Sequence, residues 1–325
     1  MNDWQVDSDF LHQFENGLNP RFPAKSKIPV TVLGYGEIST VLQVDTDRTR
    51  HLAFKRMPMF KSAEEVERYL SLYQDSIRVL RDRIGLHVVP DQTISMRSER
   101  DDRFIIYIIQ KKLAQESIAN HLVRKLPAED VRRLFATVLL EIKKVFDFNK
   151  AHKGEIEVGF DGQISNWAVR NWSGDGRTLS DEIELIYFDT SSPLLRKNGV
   201  EQLDPELFLR SAPSFMVWII RLLFLQDVMT RYYDFRQVLI DLIANFYKEQ
   251  RGELIPVLVE TVNDVLAEEI KTGRLTPIAV EEVKAYYRED AWIWRIYLSA
   301  RKIDRFLHRL VGKHYPYILP EKIRR

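Results

Sequence analysis

What most constrains this chain is a single change of character along its length. Up to about Leu113 the apolar residues fall in short, often β-branched runs broken by turn residues, with one helical stretch among them. From about Ser117 onward the pattern is mainly helical. The order is a small sheet with one helix, a connector, then a mostly helical body with a short hairpin inserted. Strands gathered in one half and helices in the other mark an α+β chain.

Residues 1 to 28 form a polar leader with Pro20 and Pro23, read as an extension packed on the surface. Val30-Thr31-Val32-Leu33 runs up to Gly34-Tyr35-Gly36, and Thr40 to Val44 and His51 to Arg56 make two further strands around the turn Asp45-Thr46-Asp47. Ser62 and Glu65 form a capping box. Val66, Leu70, Tyr73, Ile77, Leu80 and Ile84 then recur at helical spacing until Gly85 ends the helix. Val88-Val89-Pro90 and Phe104 to Ile109 read as strands flanking the charged hairpin Arg97 to Arg103. The second half opens with a helix over Pro127 to Phe148. A strand-rich interlude follows from Ile156 to Asp189, with a turn at Gly174-Asp175-Gly176, and long amphipathic helices begin near Pro205.

Composition sets limits. Apolar residues make up 45% and charged residues 29%, the balance of a globular protein with a substantial core. Lysine and arginine total 48 against 47 acids, so a net charge of +1 gives no global reason to expect nucleic acid or an anionic membrane as partner. With no cysteine, thiolate catalysis, disulfides and cysteine-bound metals are excluded. The start, Met1-Asn2-Asp3-Trp4, lacks a signal-peptide pattern, so a cytoplasmic location is expected. The most apolar stretch, Phe215 to Leu225, is too short to span a bilayer, is interrupted by Arg221, and reads as a buried helix. Trp292, Trp294 and Tyr297 at helical spacing read as core. The seven histidines show no metal-ligand spacing; His308 and His314 lie near a basic tail without carboxylate partners.

Four places can carry chemistry. Gly34-Tyr35-Gly36 sits between two strands, where glycines let backbone amides approach phosphate oxygens. Lys55 lies inside the apolar strand Leu52-Ala53-Phe54, an expensive position unless its charge meets a partner such as phosphate. Asp161 is followed by Asn166 five residues later, leading into a strand; the first can orient a hydroxyl proton, the second can hold a divalent cation. Asp189 closes the apolar strand Ile186-Tyr187-Phe188, a place for a metal ligand at a cleft floor.

Their order resembles that of the protein-kinase-like superfamily: glycine turn, strand lysine, helix, apolar strand, helix, aspartate with asparagine, strand, aspartate. The resemblance runs from about Val30 to Pro193 and is nearest to the small-molecule branch of aminoglycoside phosphotransferases and choline kinases. It implies a two-lobed fold, with a small antiparallel sheet lobe carrying one helix beside a larger, mainly helical lobe. The expected divisions are 1–28, an N-terminal extension; 29–113, a nucleotide-binding lobe; and 114–325, a lobe with the catalytic loop and substrate helices. It further implies ATP and Mg²⁺ as cofactors. Gly34 and Gly36 would lie over the phosphates and Lys55 would meet them. Gln110, Lys111 and Lys112 would form the hinge facing adenine. Asp161 would be the catalytic aspartate, and Asn166 and Asp189 would hold the metal.

The chain departs from that pattern. Gly159 stands where a histidine is usual, Thr190 where a glycine follows the metal aspartate, and Ser39 at the third glycine. No clear helix glutamate is placed to meet Lys55; Glu67 lies early, and Gln74-Asp75 occupy the expected position. No Ala-Pro-Glu segment follows Asp189, which argues against a protein substrate. The expected activity is phosphorylation of a hydroxyl on a small molecule, with no nucleic-acid or membrane partner and no reading of oligomeric state. The alternative is an inactive kinase-like scaffold.

Overall fold

The computed structural model describes residues 5–36, 38–172, 178–223 and 230–321. The turn expected at Gly174-Asp175-Gly176 lies outside them.

Five strands build the first lobe: β1 (Val30–Tyr35), β2 (Thr40–Val44), β3 (Leu52–Phe60), β4 (Asp91–Arg97) and β5 (Phe104–Lys111), antiparallel in the order β1-β2-β3-β5-β4. Side chains alternate across a strand. On β3 this sends Phe54 and Arg56 to the outer face and Lys55 and Met57 to the face turned toward the second lobe. Lys55 sits opposite Val41 on β2 and Ile108 on β5, at the centre of the sheet.

The strand expected at Val88–Pro90 forms instead at β4, three residues later; Val88 makes only an isolated bridge to Tyr187. β4 is the sheet edge and most of its residues are only partly covered, so its sequence, Asp-Gln-Thr-Ile-Ser-Met-Arg, has little of the apolar run that marks an inner strand.

The leader is more than a surface covering. It holds α1 (Ser8–Gly17), capped by Asp7, which accepts from the Phe10 amide. Leu11, Phe14 and Leu18 bury against the outer face of the sheet with Phe54, Tyr107 and Ile109. Beneath them lies an ion pair in which Arg56 donates to both oxygens of Glu15, at 2.6 and 2.8 Å, with Tyr107 donating to the same carboxylate. On the inner face, α2 (Ala63–Arg78) starts at the expected cap. Ser62 accepts from the Glu65 amide, while the Glu65 carboxylate takes the Lys61 amide and pairs with Arg210 from the second lobe. A π-helical turn over Val79–Ile84 ends at Gly85 in the left-handed region.

The second lobe contains α3 (Ala119–Val123), α4 (Ala128–Ala151), the short strands β6 (Ile156–Val158), β7 (Trp167–Val169), β8 (Leu185–Tyr187), β9 (Leu195–Lys197) and β10 (Val200–Glu201), then α5 (Glu206–Leu209), α6 (Ser214–Leu223), α7 (Phe235–Lys248), α8 (Ile255–Val265), α9 (Ala267–Lys271) and α10 (Val280–Leu310). One apolar core runs from Met57, Tyr69 and Ile106 of the first lobe into Leu134, Val138 and Leu242 of the second. A five-stranded antiparallel sheet lobe beside a larger, mainly helical lobe is the two-lobed α+β architecture expected from the sequence.

Three expectations need correction. In the apolar stretch that begins at 215, Phe215 and Trp218 on α6 are exposed where a buried helix was expected. Trp292 is exposed as well, and Trp294 and Tyr297 line a cleft instead of filling the core. Both tail histidines have carboxylate partners. His308 meets Asp304 one turn back at 3.5 Å, and His314 meets Asp101 of the hairpin at 3.3 Å. After α10 the chain returns to the first lobe, where the Pro316 carbonyl accepts from Arg56 and Ile318 joins the outer core.

Candidate active site

The cleft between the lobes has a volume of about 390 Å³, and Gly36, Asp161, Asn166 and Asp189 line it. Lys55 reaches it by its ammonium, which donates to Asp189 Oδ1 at 2.5 Å. Four of the residues singled out from the sequence therefore meet at one place, from β3, from the loop before β7 and from the end of β8.

The loop carrying Asp161 is held down by close packing. A side chain at Gly162 would fall 2.6 Å from Ile142 Cδ1 of α4 and 2.9 Å from Val238 of α7. At Gly159, where the resemblance places a histidine, it would fall 2.8 Å from Leu194 and 2.9 Å from Tyr233. Those neighbours close the space a histidine ring needs, so here the loop is supported by contact on the backbone. Asn166 donates its amide to the Asp161 carbonyl at 3.2 Å and its own carbonyl accepts from the Phe188 amide at 3.1 Å, joining the aspartate loop to the strand that presents Asp189. Tyr187 donates to the Asp161 carbonyl from the other side.

The two carboxylates are driven apart electrostatically. Burial is the largest influence on Asp161, and the neighbouring Asp241 and Asp189 carboxylates add to it; together they push its carboxyl up to about 7 against the Gln163 amide and Arg231. Burial acts on Asp189 in the same sense, but the Lys55 ammonium and the Ser191 hydroxyl override it and hold the carboxyl below its ordinary value. One carboxyl is thus poised to exchange a proton near neutral pH and the other stays ionised.

No carboxylate from α2 meets Lys55. Gln74 is exposed, and Asp75 pairs with Lys197 and Arg78. The inner face of α2 carries Tyr69 and Tyr73 instead. Tyr69 donates to the Ser191 carbonyl at 2.8 Å, and Tyr73 shares a hydrogen bond with the Thr190 hydroxyl at 2.9 Å. Thr190, in the place of the usual glycine, is buried and uses its hydroxyl as this anchor. The helix is therefore tied to the segment after Asp189 by hydroxyls. Two tyrosines at i and i+4 were the available signal, but the spacing read equally well as core.

The remaining expected residues are placed differently. Gly36 lines the cleft, and its amide donates to the Ser39 carbonyl at 3.0 Å; a side chain there would fall 2.7 Å from the Ser39 hydroxyl. Gly34 lies on β1 with room for a Cβ. Gln110 reaches the Phe188 carbonyl at 3.3 Å, beside Asp189, and the Lys112 amide donates to the His51 carbonyl at 2.8 Å; neither is among the residues that line the cleft. Arg231, Asp241 and Tyr232, which surround Asp161 from the segment before α7 and from α7 itself, had no readable sequence signal.

Residues 20–305 match the profile of the family of unknown function DUF6206, and the chain belongs to that family. No curated protein matches it. Among solved structures it is similar to WaaP in complex with acyl carrier protein, at 16% identity over 78% of this chain and 98% of that one, TM-score 0.33. It is also similar to the kinase domain of maize SIRK1 (sucrose-induced receptor kinase 1) bound to AMP-PNP, at 13% identity over 81% and 98%, TM-score 0.34. A third is the amicoumacin kinase hAmiN in complex with AMP-PNP, Ca²⁺ and Ami, at 11% identity over 86% and 97%, TM-score 0.32. Likeness this distant carries no argument about this chain.

Proposed function

We propose that this member of DUF6206 is an ATP-dependent phosphotransferase acting on a hydroxyl of a small molecule, in the manner of the aminoglycoside phosphotransferase and choline kinase branch. The observation that carries the reading is the meeting of Lys55, Asp189, Asn166 and Asp161 on one cleft, with the two aspartates tuned in opposite directions.

In this reading Asp161 accepts the proton of the acceptor hydroxyl. A carboxyl pushed up to about 7 is matched to that task near neutral pH. Lys55 exchanges its bond to Asp189 for the nucleotide phosphates, and its charge offsets theirs. Asp189 and Asn166 offer a carboxylate and a carboxamide oxygen, a hard-oxygen pair that fits Mg²⁺, which takes few protein ligands and fills its shell with phosphate and water. When bound, Mg²⁺ supplies neutralisation of phosphate charge. Gly34 and Gly36 shape the loop above the phosphates, while Gln110 and Lys112 frame the nucleotide site from the hinge. Tyr232, Trp294 and Tyr297 border the acceptor side of the cleft. A scaffold that binds no nucleotide is favoured by one feature, the absence of an α2 carboxylate on Lys55.

Isothermal titration with MgATP and a phosphate-release assay separate these readings. Phosphotransfer requires MgATP binding by the wild type, loss of turnover and weakened MgATP binding in Asp189→Asn, and loss of turnover with binding intact in Asp161→Asn. No binding at millimolar MgATP sinks the enzyme reading. Wild-type turnover in both variants sinks the residue assignment.

A further inference from the structure

α10 is 31 residues long, about 46 Å at 1.5 Å per residue, and its two sides are unlike. Trp294, Leu298 and Arg301 turn inward to the cleft. Trp292, Ile296, Ile303, Phe306, Leu307 and Leu310 are all exposed, with Trp292 at 61% and Leu310 at 66%. At 100° per residue these six fall within an arc of about 100°, an apolar stripe roughly 27 Å long. Between Trp292 and Leu310 the one polar residue in that arc is Ser299, whose hydroxyl is bonded to the Arg295 carbonyl one turn back.

The adjoining arc of the same helix, about 60° wide, carries Lys302, Arg305 and Arg309. They form one wall of a groove of about 710 Å³ whose opposite wall is the leader, with Arg21, Lys25 and Lys27. No acidic side chain lines this groove among the described residues. Phe22, exposed beside it, lies under Arg21 and Lys25. A net charge of +1 over the whole chain thus conceals a local concentration of one sign.

We infer that this face docks on a bilayer surface rich in anionic phospholipid, with α10 lying in the plane of the interface. An exposed apolar stripe bearing tryptophan and phenylalanine, flanked by lysines and arginines, is the composition of a helix that sinks its apolar side to the acyl boundary while its cations meet headgroup phosphates. Charge complementarity selects the occupant: an apolar partner alone leaves the basic groove unmatched, and free phosphate leaves the stripe uncovered. Because the opposite side of α10 lines the cleft, docking sets that cleft close to the membrane surface.

Vesicle co-sedimentation of the full chain tests this, with phosphatidylcholine vesicles and with phosphatidylcholine vesicles containing phosphatidylserine. Binding only to the second kind, and its release by high salt, are expected. Arg305→Ala with Arg309→Ala lowers the partition coefficient roughly 25-fold, at roughly fivefold per cation. Phe306→Asp with Leu310→Asp abolishes binding. Phe306, Arg309 and Leu310 are exposed and Arg305 is half-buried, and an unchanged circular dichroism spectrum and melting temperature verify the fold. Failure to bind anionic vesicles overturns the inference. So does equal binding to both vesicle types, or binding indifferent to Phe306→Asp with Leu310→Asp. A wild type that is dimeric in light scattering, becomes monomeric in that variant and ignores vesicles assigns the stripe to a second copy of the chain instead.

Discussion

The ion pair between Glu15 and Arg56 offers a sharp test of how the first lobe is held together. Glu15 is 5% exposed and Arg56 2%, and they meet through two charge-assisted hydrogen bonds, with Tyr107 donating to the same carboxylate. Burial acts to raise the Glu15 carboxyl, but the guanidinium overrides it and holds it below its ordinary value. A depressed carboxyl contributes stability above its unfolded value near 4.5 and loses it as pH falls through the folded one. Glu15→Ala removes one partner and leaves a guanidinium buried without a counter-charge, a change that costs about 3–5 kcal/mol. For 325 residues at about 2.1 cal/mol/K each, the unfolding entropy is about 0.7 kcal/mol/K, so Tm falls by roughly 4–7 °C if both lobes unfold together. Differential scanning calorimetry at pH 7 measures it. Adding Arg56→Met to Glu15→Ala removes the orphaned charge and restores most of the loss, because apolar replacement of a buried pair is close to neutral. A fall below about 1 °C in Glu15→Ala, or a double variant no more stable than the single one, refutes the argument.

Lys55→Ala weakens MgATP binding at least tenfold in titration calorimetry, from the loss of charge-assisted bonds worth about 1.5–3 kcal/mol, while the melting temperature shifts little; a large stability loss with unchanged affinity would mark Lys55 as purely structural. In wild type, kcat/KM rises with pH through about 7 as Asp161 loses its proton, since the raised carboxyl acts only when ionised. Asp161→Asn removes that limb and lowers turnover about 10²–10⁴-fold above pH 7, the gap narrowing at lower pH as the wild-type carboxyl takes up its proton. Tyr73→Phe takes from the Thr190 hydroxyl its partner on α2 and from the Asp91 carboxylate the hydroxyl that donates to it, and costs about 1–2 kcal/mol, read as a lower denaturation midpoint with unchanged slope.

Lys55 was legible because a charge in the middle of an apolar strand has to be aimed at something, and Asp161, Asn166 and Asp189 because their order along the chain is distinctive. What could not be read depended on partners far away in sequence. His314 finds Asp101 across 213 positions, and Gln110 finds Phe188 across 78. The spacing on α2 marked Tyr73 as buried but could not say that its hydroxyl would meet Thr190 in place of a glutamate meeting Lys55. β4 was displaced because an edge strand half open to solvent lacks the apolar run that betrays an inner one. The leader reads as a surface extension because Leu11, Phe14 and Leu18 are few among polar neighbours, and the need for them lies on the sheet.

The return of the tail to the first lobe has a consequence for how this protein is made. Arg56 lies on the third strand, yet one of its acceptors is the carbonyl of Pro316, and Ile318 closes the same outer core. Synthesis proceeds from the N-terminus, so the five strands and α1 leave the ribosome with a guanidinium lacking one partner and an apolar surface lacking its last cover. They must wait for some 200 further residues before the lobe can be finished. The first lobe to be made is the last to be completed, and a nascent chain stalled anywhere in the helical half exposes an unsealed sheet.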